Sequence, residues 1–199
     1  MKTASRRSFF ATVVLMLAVL TPTVSNAAQT HITKVTRIPA PPAGKALVNI
    51  HRANFGGGWT ANVRTPLFDE SGTFLMDLPR RCECQLVCEP GQKTFISWYG
   101  ANPVNVITAD LAPDKTYDLL IDLTWPKIIF VPFSKDPAGR KKLEKIEKQD
   151  ANEVFRLERD QTALDYESSQ KAHIDQIKKD FLGGGKSDRV VHVSKDDCR

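Results

Sequence analysis

The 199-residue chain holds little of the chemistry-bearing equipment of a common enzyme. It has four histidines, His31, His51, His173 and His192. None falls in a His-Glu-x-x-His pattern or near a Gly-x-Ser-x-Gly elbow, so the usual zinc-hydrolase and serine-hydrolase signatures are excluded. Aromatic residues make up 8% and form no recurring array. The run Gly183-Gly184-Gly185-Lys186-Ser187 imitates the end of a phosphate-binding loop, but Asp180 stands where that motif needs glycine, and the run follows a helical pattern instead of a strand. It reads as a helix stop. Asp118 and Asp122 share one strand face but are separated by roughly 13 Å, too far to share a proton, and read as a solvent-facing polar row. No catalytic residue, cofactor or metal is assigned, and the expectation is a protein that is not an enzyme.

A long apolar span is also missing. The run 9–20 is about 12 residues, short of the roughly 20 that cross a bilayer as a helix. With Lys2, Arg6 and Arg7 before it and the small residues Ser25 and Ala27 after it, the segment 1–27 reads as a signal peptide cleaved after Ala27. Ser5-Arg6-Arg7-Ser8-Phe9-Phe10 is similar to the twin-arginine export motif, so both general and folded-state export stay open. No cysteine follows the run, hence no lipid attachment there and no stable membrane anchor after cleavage. The mature chain is expected to be periplasmic or secreted. Removing three leader cations leaves 25 basic against 23 acidic residues, which argues against a nucleic-acid partner.

What the sequence has in quantity is period-two patterning. From 45 to 133, apolar and polar residues alternate and turn residues recur every 8 to 12 positions, the pattern of an antiparallel β-sandwich. About seven strands are expected, from the candidate segments 46–52, 64–68, 73–78, 85–88, 93–99, 104–109, one ending at Leu123, and 127–133. Tyr117, Leu119, Ile121 and Leu123 alternate with Thr116, Asp118 and Asp122, predicting one dry and one mostly wet face. The strand 127–133 is apolar at both parities, so the C-terminal helix is the nearest candidate to cover its second face.

Three segments carry a resemblance. Lys45-Ala46-Leu47-Val48-Asn49-Ile50-His51-Arg52, Glu89-Pro90-Gly91-Gln92-Lys93 and Leu111-Ala112-Pro113-Asp114-Lys115-Thr116-Tyr117 resemble a bacterial domain-of-unknown-function family of exported proteins and lipoproteins, whose β-sandwich is similar to PEGA-type surface modules. The resemblance covers roughly residues 40 to 133 and implies a fold but no known activity. The chain departs from the family's pattern in lacking a lipid-accepting cysteine and in placing Asp114 where a turn glycine is usual.

The domain plan that follows is a signal peptide at 1–27, a β-sandwich domain at 28–135, a charged helical extension at 136–185 and a tail at 186–199. Asp136 can cap the helical segment, Pro137 suits its first position and Gly183 to Gly185 stop it. Leu143, Ile146, Val154, Leu157 and Leu164 cluster on one side at 100° per residue, whereas Ile174, Ile177 and Phe181 fall nearly opposite. One straight helix cannot bury both sets, so a break is predicted near Ser168-Ser169-Gln170. The segment 136–199 carries 14 basic and 14 acidic side chains, a balanced, solvated composition. Its sparse stripe leaves room for a coiled-coil partner.

Cysteine is the sharpest local signal. Cys82, Cys84 and Cys88 share a parity on one short stretch, and Cys198 lies near the C-terminus. In an oxidising compartment all four are disulfide candidates, one of the three bonding Cys198; spacing leaves the connectivity open. The alternative is a small-ligand or metal site, with Cys198 or His192 as a fourth ligand for zinc or Cu(I). Trp59, beside Gly56-Gly57-Gly58, and Trp98-Tyr99 are either end packing or a possible binding surface for a glycan or protein. Together these features point to an exported, non-catalytic interaction or structural module of the envelope, reaching a partner through its loops or its helical extension.

Overall fold

The computed structural model describes residues 32–52, 65–79, 82–98, 104–124, 127–132, 141, 144, 148, 153–186 and 190–198, and everything structural below concerns these. They are mainly β, in two sheets, with a C-terminal helix. The strands are β1 (Ile32–Val35), β2 (Ala46–Arg52), β3 (Pro66–Asp69), β4 (Phe74–Asp77), β5 (Cys82–Cys88), β6 (Gly91–Trp98), β7 (Val104–Leu111), β8 (Thr116–Thr124), β9 (Lys127–Pro132), β10 (Val154–Leu157) and β11 (Val191–Val193). The first sheet runs β1-β10-β5-β2-β8-β9 and the second β11-β7-β6-β3-β4.

Two expectations are corrected here. Eleven strands occur among the described residues instead of about seven, and the sheets are mixed instead of antiparallel: β2 runs parallel to β8, β10 to β5 and β11 to β7. The extra strands β1, β10 and β11 all lie outside the stretch 45–133 where period two is legible. Each has three or four residues, too few to display a period, and exists through pairing with distant chain: Ile32 with Leu157, Phe155 with Cys84, Val193 with Ala109.

The inner positions of both sheets form one buried cluster. Val48, Ile50, Cys84, Leu119 and Ile121 come from the first sheet, and Leu67, Met76, Phe95, Ile107 and Leu111 from the second. The turn before β8 is a tyrosine corner. Ala112 N–H donates to Tyr117 Oη at 2.8 Å, and that hydroxyl donates to Lys195 O at 3.2 Å, so one buried phenol fixes both the turn and the C-terminal tail. Asp114 holds φ 58°, the conformation that favours glycine, and its Oδ1 accepts Gly44 N–H at 2.7 Å. A short polar side chain tolerates that region, so the departure from a turn glycine leaves the turn intact.

The helix α1 (Gln161–Phe181) is unbroken through Ser168-Ser169-Gln170, against the predicted break. Ser169 Oγ donates to Tyr166 O at 2.7 Å, a way for a mid-helix serine to satisfy its hydroxyl without opening the turn. The conflict between two apolar faces is resolved upstream: Val154 and Leu157, three apart and readable as helix, belong to β10, and Asp160 caps α1 by accepting Ala163 N–H at 2.9 Å. Lys141, Glu144 and Lys148 are helical, as expected of that stretch. The helix also covers a different surface from the one anticipated. Ala163, Ile174, Ile177 and Phe181 pack with Phe68, Phe74, Ile96, Trp98 and Val106, the outer face of the second sheet. At about 1.5 to 3 kcal/mol per fully buried large apolar side chain, Ile174, Ile177 and Phe181 suffice to dock a helix whose other face is charged.

Candidate functional site

The most unusual chemistry lies on the outer face of the first sheet. Odd-numbered residues of β2 and β5 point away from the core, and a period-two reading makes them solvent-facing. Instead Asn49, His51 and Glu83 are almost fully buried, and Asp118 of β8 is buried too. The expectation of a wet face for Asp118 is therefore corrected: Leu120 on the same face is also buried, so β8 is covered on both sides along Tyr117 to Ile121.

The parallel register between β2 and β8 puts Asn49 beside Asp118, and the antiparallel register between β2 and β5 puts it beside Gln85. Asn49 Nδ2 donates to Asp118 Oδ1 at 2.8 Å, and Gln85 Nε2 donates to Asn49 Oδ1 at 2.9 Å. His51 stands between two carboxylates, with Nδ1 3.4 Å from Glu83 Oε2 and Nε2 3.4 Å from Asp118 Oδ1. Arg37, in the segment after β1, closes the row with two points of contact on Glu83, at 2.8 and 2.5 Å. Burial pushes the Glu83 carboxyl above its ordinary range; His51 and Arg37 pull it back down and Asp118 adds to the rise. A proton on either ring nitrogen of His51 meets a carboxylate, so the row can hold or relay a proton. It presents no serine, threonine or cysteine to be activated, so among the described residues it lacks the nucleophile of a hydrolytic triad.

The cysteines point the other way. Cys82, Cys84 and Cys88 occupy the even positions of β5 and face the core, as their shared parity predicts, and Cys198 packs against the edge of the same cluster. None of the four is joined in a disulfide in this structure. Burial, with help from Glu83 and Cys88, pushes the Cys84 thiol up to about 12, and burial pushes Cys88 up to about 11 against the pull of Lys93. Thiolates are the metal-binding and nucleophilic form, and both environments disfavour them. His192 is engaged elsewhere, its Nδ1 2.6 Å from Thr108 Oγ1. Among the described residues no group of three or more His, Cys, Asp and Glu side chains is arranged to hold a metal ion.

Of the aromatic surface candidates, Trp59 and Tyr99 lie outside the described residues. Trp98 is buried under α1, stacked on Phe68 with centroids 5.1 Å apart and touched edge-on by His173 at 4.9 Å. Lys186 of the glycine-rich run turns back onto Asp180 Oδ2 at 3.0 Å and lies over the Phe181 ring, an arrangement that closes the helix end.

The described surface opens beside β5. A cleft of about 440 Å³ runs along Gln85 to Cys88 and is walled by Ile38, Leu75 and Phe95, with Lys93 and Arg156 at its border. No protein family matches this chain, and neither does any curated protein or solved structure. Sequence reasoning had set Asp118 aside as solvent-facing and had passed over Asn49, Glu83, Gln85 and Arg37. Polar residues at alternate strand positions carry the same signal whether water or protein covers them. The one available hint was the co-occurrence of Asn49, His51, Glu83 and Gln85 on strands that would be neighbours.

Proposed function

We propose that the chain is an exported, non-catalytic interaction module of the bacterial envelope: a β-sandwich carrying a docked helix, similar in kind to PEGA-type surface modules. One contrast supports this reading. In the buried ionisable row, Arg37, Glu83, His51, Asp118, Asn49 and Gln85 each contact another member. The cleft beside β5, by comparison, opens to solvent and mixes apolar walls with charge. Groups spent on one another hold strands in register, while an open border of mixed character suits a protein partner. The twelve-residue apolar leader supports export, and among the described residues no helix is long and apolar enough to cross a membrane.

The full chain, expressed with a C-terminal tag, is fractionated and its amino terminus read by mass spectrometry, while a photocrosslinker at position 87 reports partners in the envelope. A mature start at Ala28 and a discrete protein adduct are expected. Turnover of an envelope substrate by the purified protein, or metal retained through purification without reductant, would overturn the proposal.

A further inference from the structure

Polar side chains enter the interior between the two sheets at one end. In the first sheet β2 finishes there at Arg52, paired with Cys82 at the start of β5. In the second sheet the same end holds Thr65 just before β3, Leu78 just after β4, Ser97 near the close of β6 and Asn105 near the start of β7. Parity turns four of these inward. Arg52 continues the alternation of Val48 and Ile50, Thr65 that of Leu67, Ser97 that of Phe95 and Asn105 that of Ile107, and each of those apolar residues belongs to the buried cluster between the sheets.

Register brings the four together. Ser97 lies opposite Asn105 where β6 pairs with β7, and opposite Leu67 where β3 pairs with β6, which sets Thr65 on the diagonal. Opposite side chains start about 4.5 to 5.5 Å apart and diagonal ones about 7 to 8 Å, a span that one small molecule can bridge. Arg52 crosses to them from the first sheet: its Nη1 donates to Leu78 O, and Leu78 N–H donates to Thr65 O at 3.0 Å.

Three atoms in this group are unanswered. Thr65 and Ser97 are 0% exposed, and Thr65 Oγ1, Ser97 Oγ and Asn105 Nδ2 are buried with no hydrogen-bond partner among the described residues. A polar atom buried without a partner costs the whole of its lost hydration. Three of them on one face of neighbouring strands shed that cost together when a molecule between them bonds to all.

We propose that the two sheets hold bound water at this end, bridging Thr65 Oγ1, Ser97 Oγ and Asn105 Nδ2 beside the guanidinium of Arg52. The proposal stands apart from what the surface binds. The chemistry of the three atoms selects the occupant: all are neutral, two belong to hydroxyls that donate and accept at once, and the third only donates. Water has both capacities, and a buried water makes about 3 such bonds. Side-chain size supplies the room, because serine, threonine and asparagine fill less of the space than Leu67, Phe95 and Ile107 do in the adjoining row. The bridge ties β3, β6 and β7 at an end where Arg52, 1% exposed, needs polar surroundings.

Relaxation dispersion of the solvent oxygen nucleus, measured on the purified protein, tests the site. Water oxygen does not exchange with side-chain hydroxyls, so the amplitude counts whole molecules held inside. Thr65→Val combined with Ser97→Ala turns the site apolar, and an apolar cavity stays dry. The amplitude should fall by at least one water molecule per chain in that variant, and an unchanged amplitude would overturn the proposal. Thr65→Val alone keeps the shape of the side chain and gives a test of sign. Loss of a water-bonded hydroxyl lowers the urea midpoint, whereas replacing an unanswered hydroxyl by a methyl raises it. A lower midpoint is expected; an equal or higher one counts against bound water. A crystal structure of the natural chain should show an ordered oxygen within hydrogen-bond distance of Ser97 Oγ. A direct bond between Ser97 and Asn105, or an ion in that place, would reject water as the occupant.

Discussion

The guanidinium of Arg37 meets both carboxylate oxygens of Glu83, Nη1 to Oε1 at 2.8 Å and Nη2 to Oε2 at 2.5 Å, and so ties the segment after β1 to the outer face of β5. Glu83 is 3% exposed at its side chain and Arg37 35%, so one partner of the pair is dry and the other borders water. Truncating Arg37 leaves a buried carboxylate facing His51 alone. Arg37→Ala should lower unfolding free energy by about 2 to 3 kcal/mol, in the range for a buried charged group that loses its partner. Urea unfolding measures this. Arg37→Met combined with Glu83→Gln should lose less than Arg37→Ala, because no unpaired charge is left inside; a larger loss in the double variant would contradict the assignment.

Glu83 also sets a pH dependence. Its carboxyl is raised above 4.5 in the folded chain, mainly by burial. The folded state therefore binds the proton more tightly than the unfolded one. The stability this group contributes is complete below about pH 4.5 and is lost as pH rises through its folded pKa. Glu83→Gln cannot titrate there. The stability of the natural chain minus that of Glu83→Gln should fall as pH rises from about 4 to about 7 in a series of urea midpoints. A difference that grows with pH would mean that Arg37 and His51 outweigh burial.

The thiols should react in order of access. With Cys84 pushed up to about 12 from 9.0, its thiolate fraction at mild alkaline pH is about a thousandfold below that of an ordinary cysteine, before burial blocks the reagent. Brief alkylation of the folded, reduced protein followed by peptide mapping should find Cys198 labelled ahead of Cys88, and Cys82 and Cys84 unlabelled until denaturant is added. Protein harvested from the envelope in alkylating buffer tests the disulfide that the sequence leads one to expect. A disulfide there should join Cys198 to one of the β5 cysteines, and four alkylated thiols would reject it.

Helix docking decides which of the two apolar sides that a helical wheel separates is turned inward. Ile174 is buried against the outer face of the second sheet, whereas Leu164 is 42% exposed. Ile174→Ala should cost about 2 to 4 kcal/mol through lost burial and a residual cavity. Leu164→Ala should stay within about 0.5 kcal/mol. Thermal and urea unfolding of the two variants side by side decides it, and equal losses would mean that the helix sits with another face inward.

The strands between Ala46 and Pro132 were readable because they follow one another in a continuous stretch of alternating pattern punctuated by turn residues, which carries even the four-residue β3 and β4. The bounds of β2, 46–52, and the tolerance of Asp114 for a glycine position both follow from local sterics. The even-parity grouping of Cys82, Cys84 and Cys88 was equally local. The strands outside that stretch were not readable, because Val154 to Leu157 has no preference strong enough to declare itself against a helical stripe. Pairing with β1, more than a hundred residues away, makes it a strand.

Alternation along the chain thus determined where strands form and which residues share a face, since side-chain direction in an extended backbone depends only on parity. Tertiary structure alone decided what covers each face. Whether Asn49, His51, Glu83 and Asp118 meet water or one another, and which sheet receives Ile174, Ile177 and Phe181, depends on contacts between segments far apart in sequence. No local pattern encodes burial that a distant segment provides.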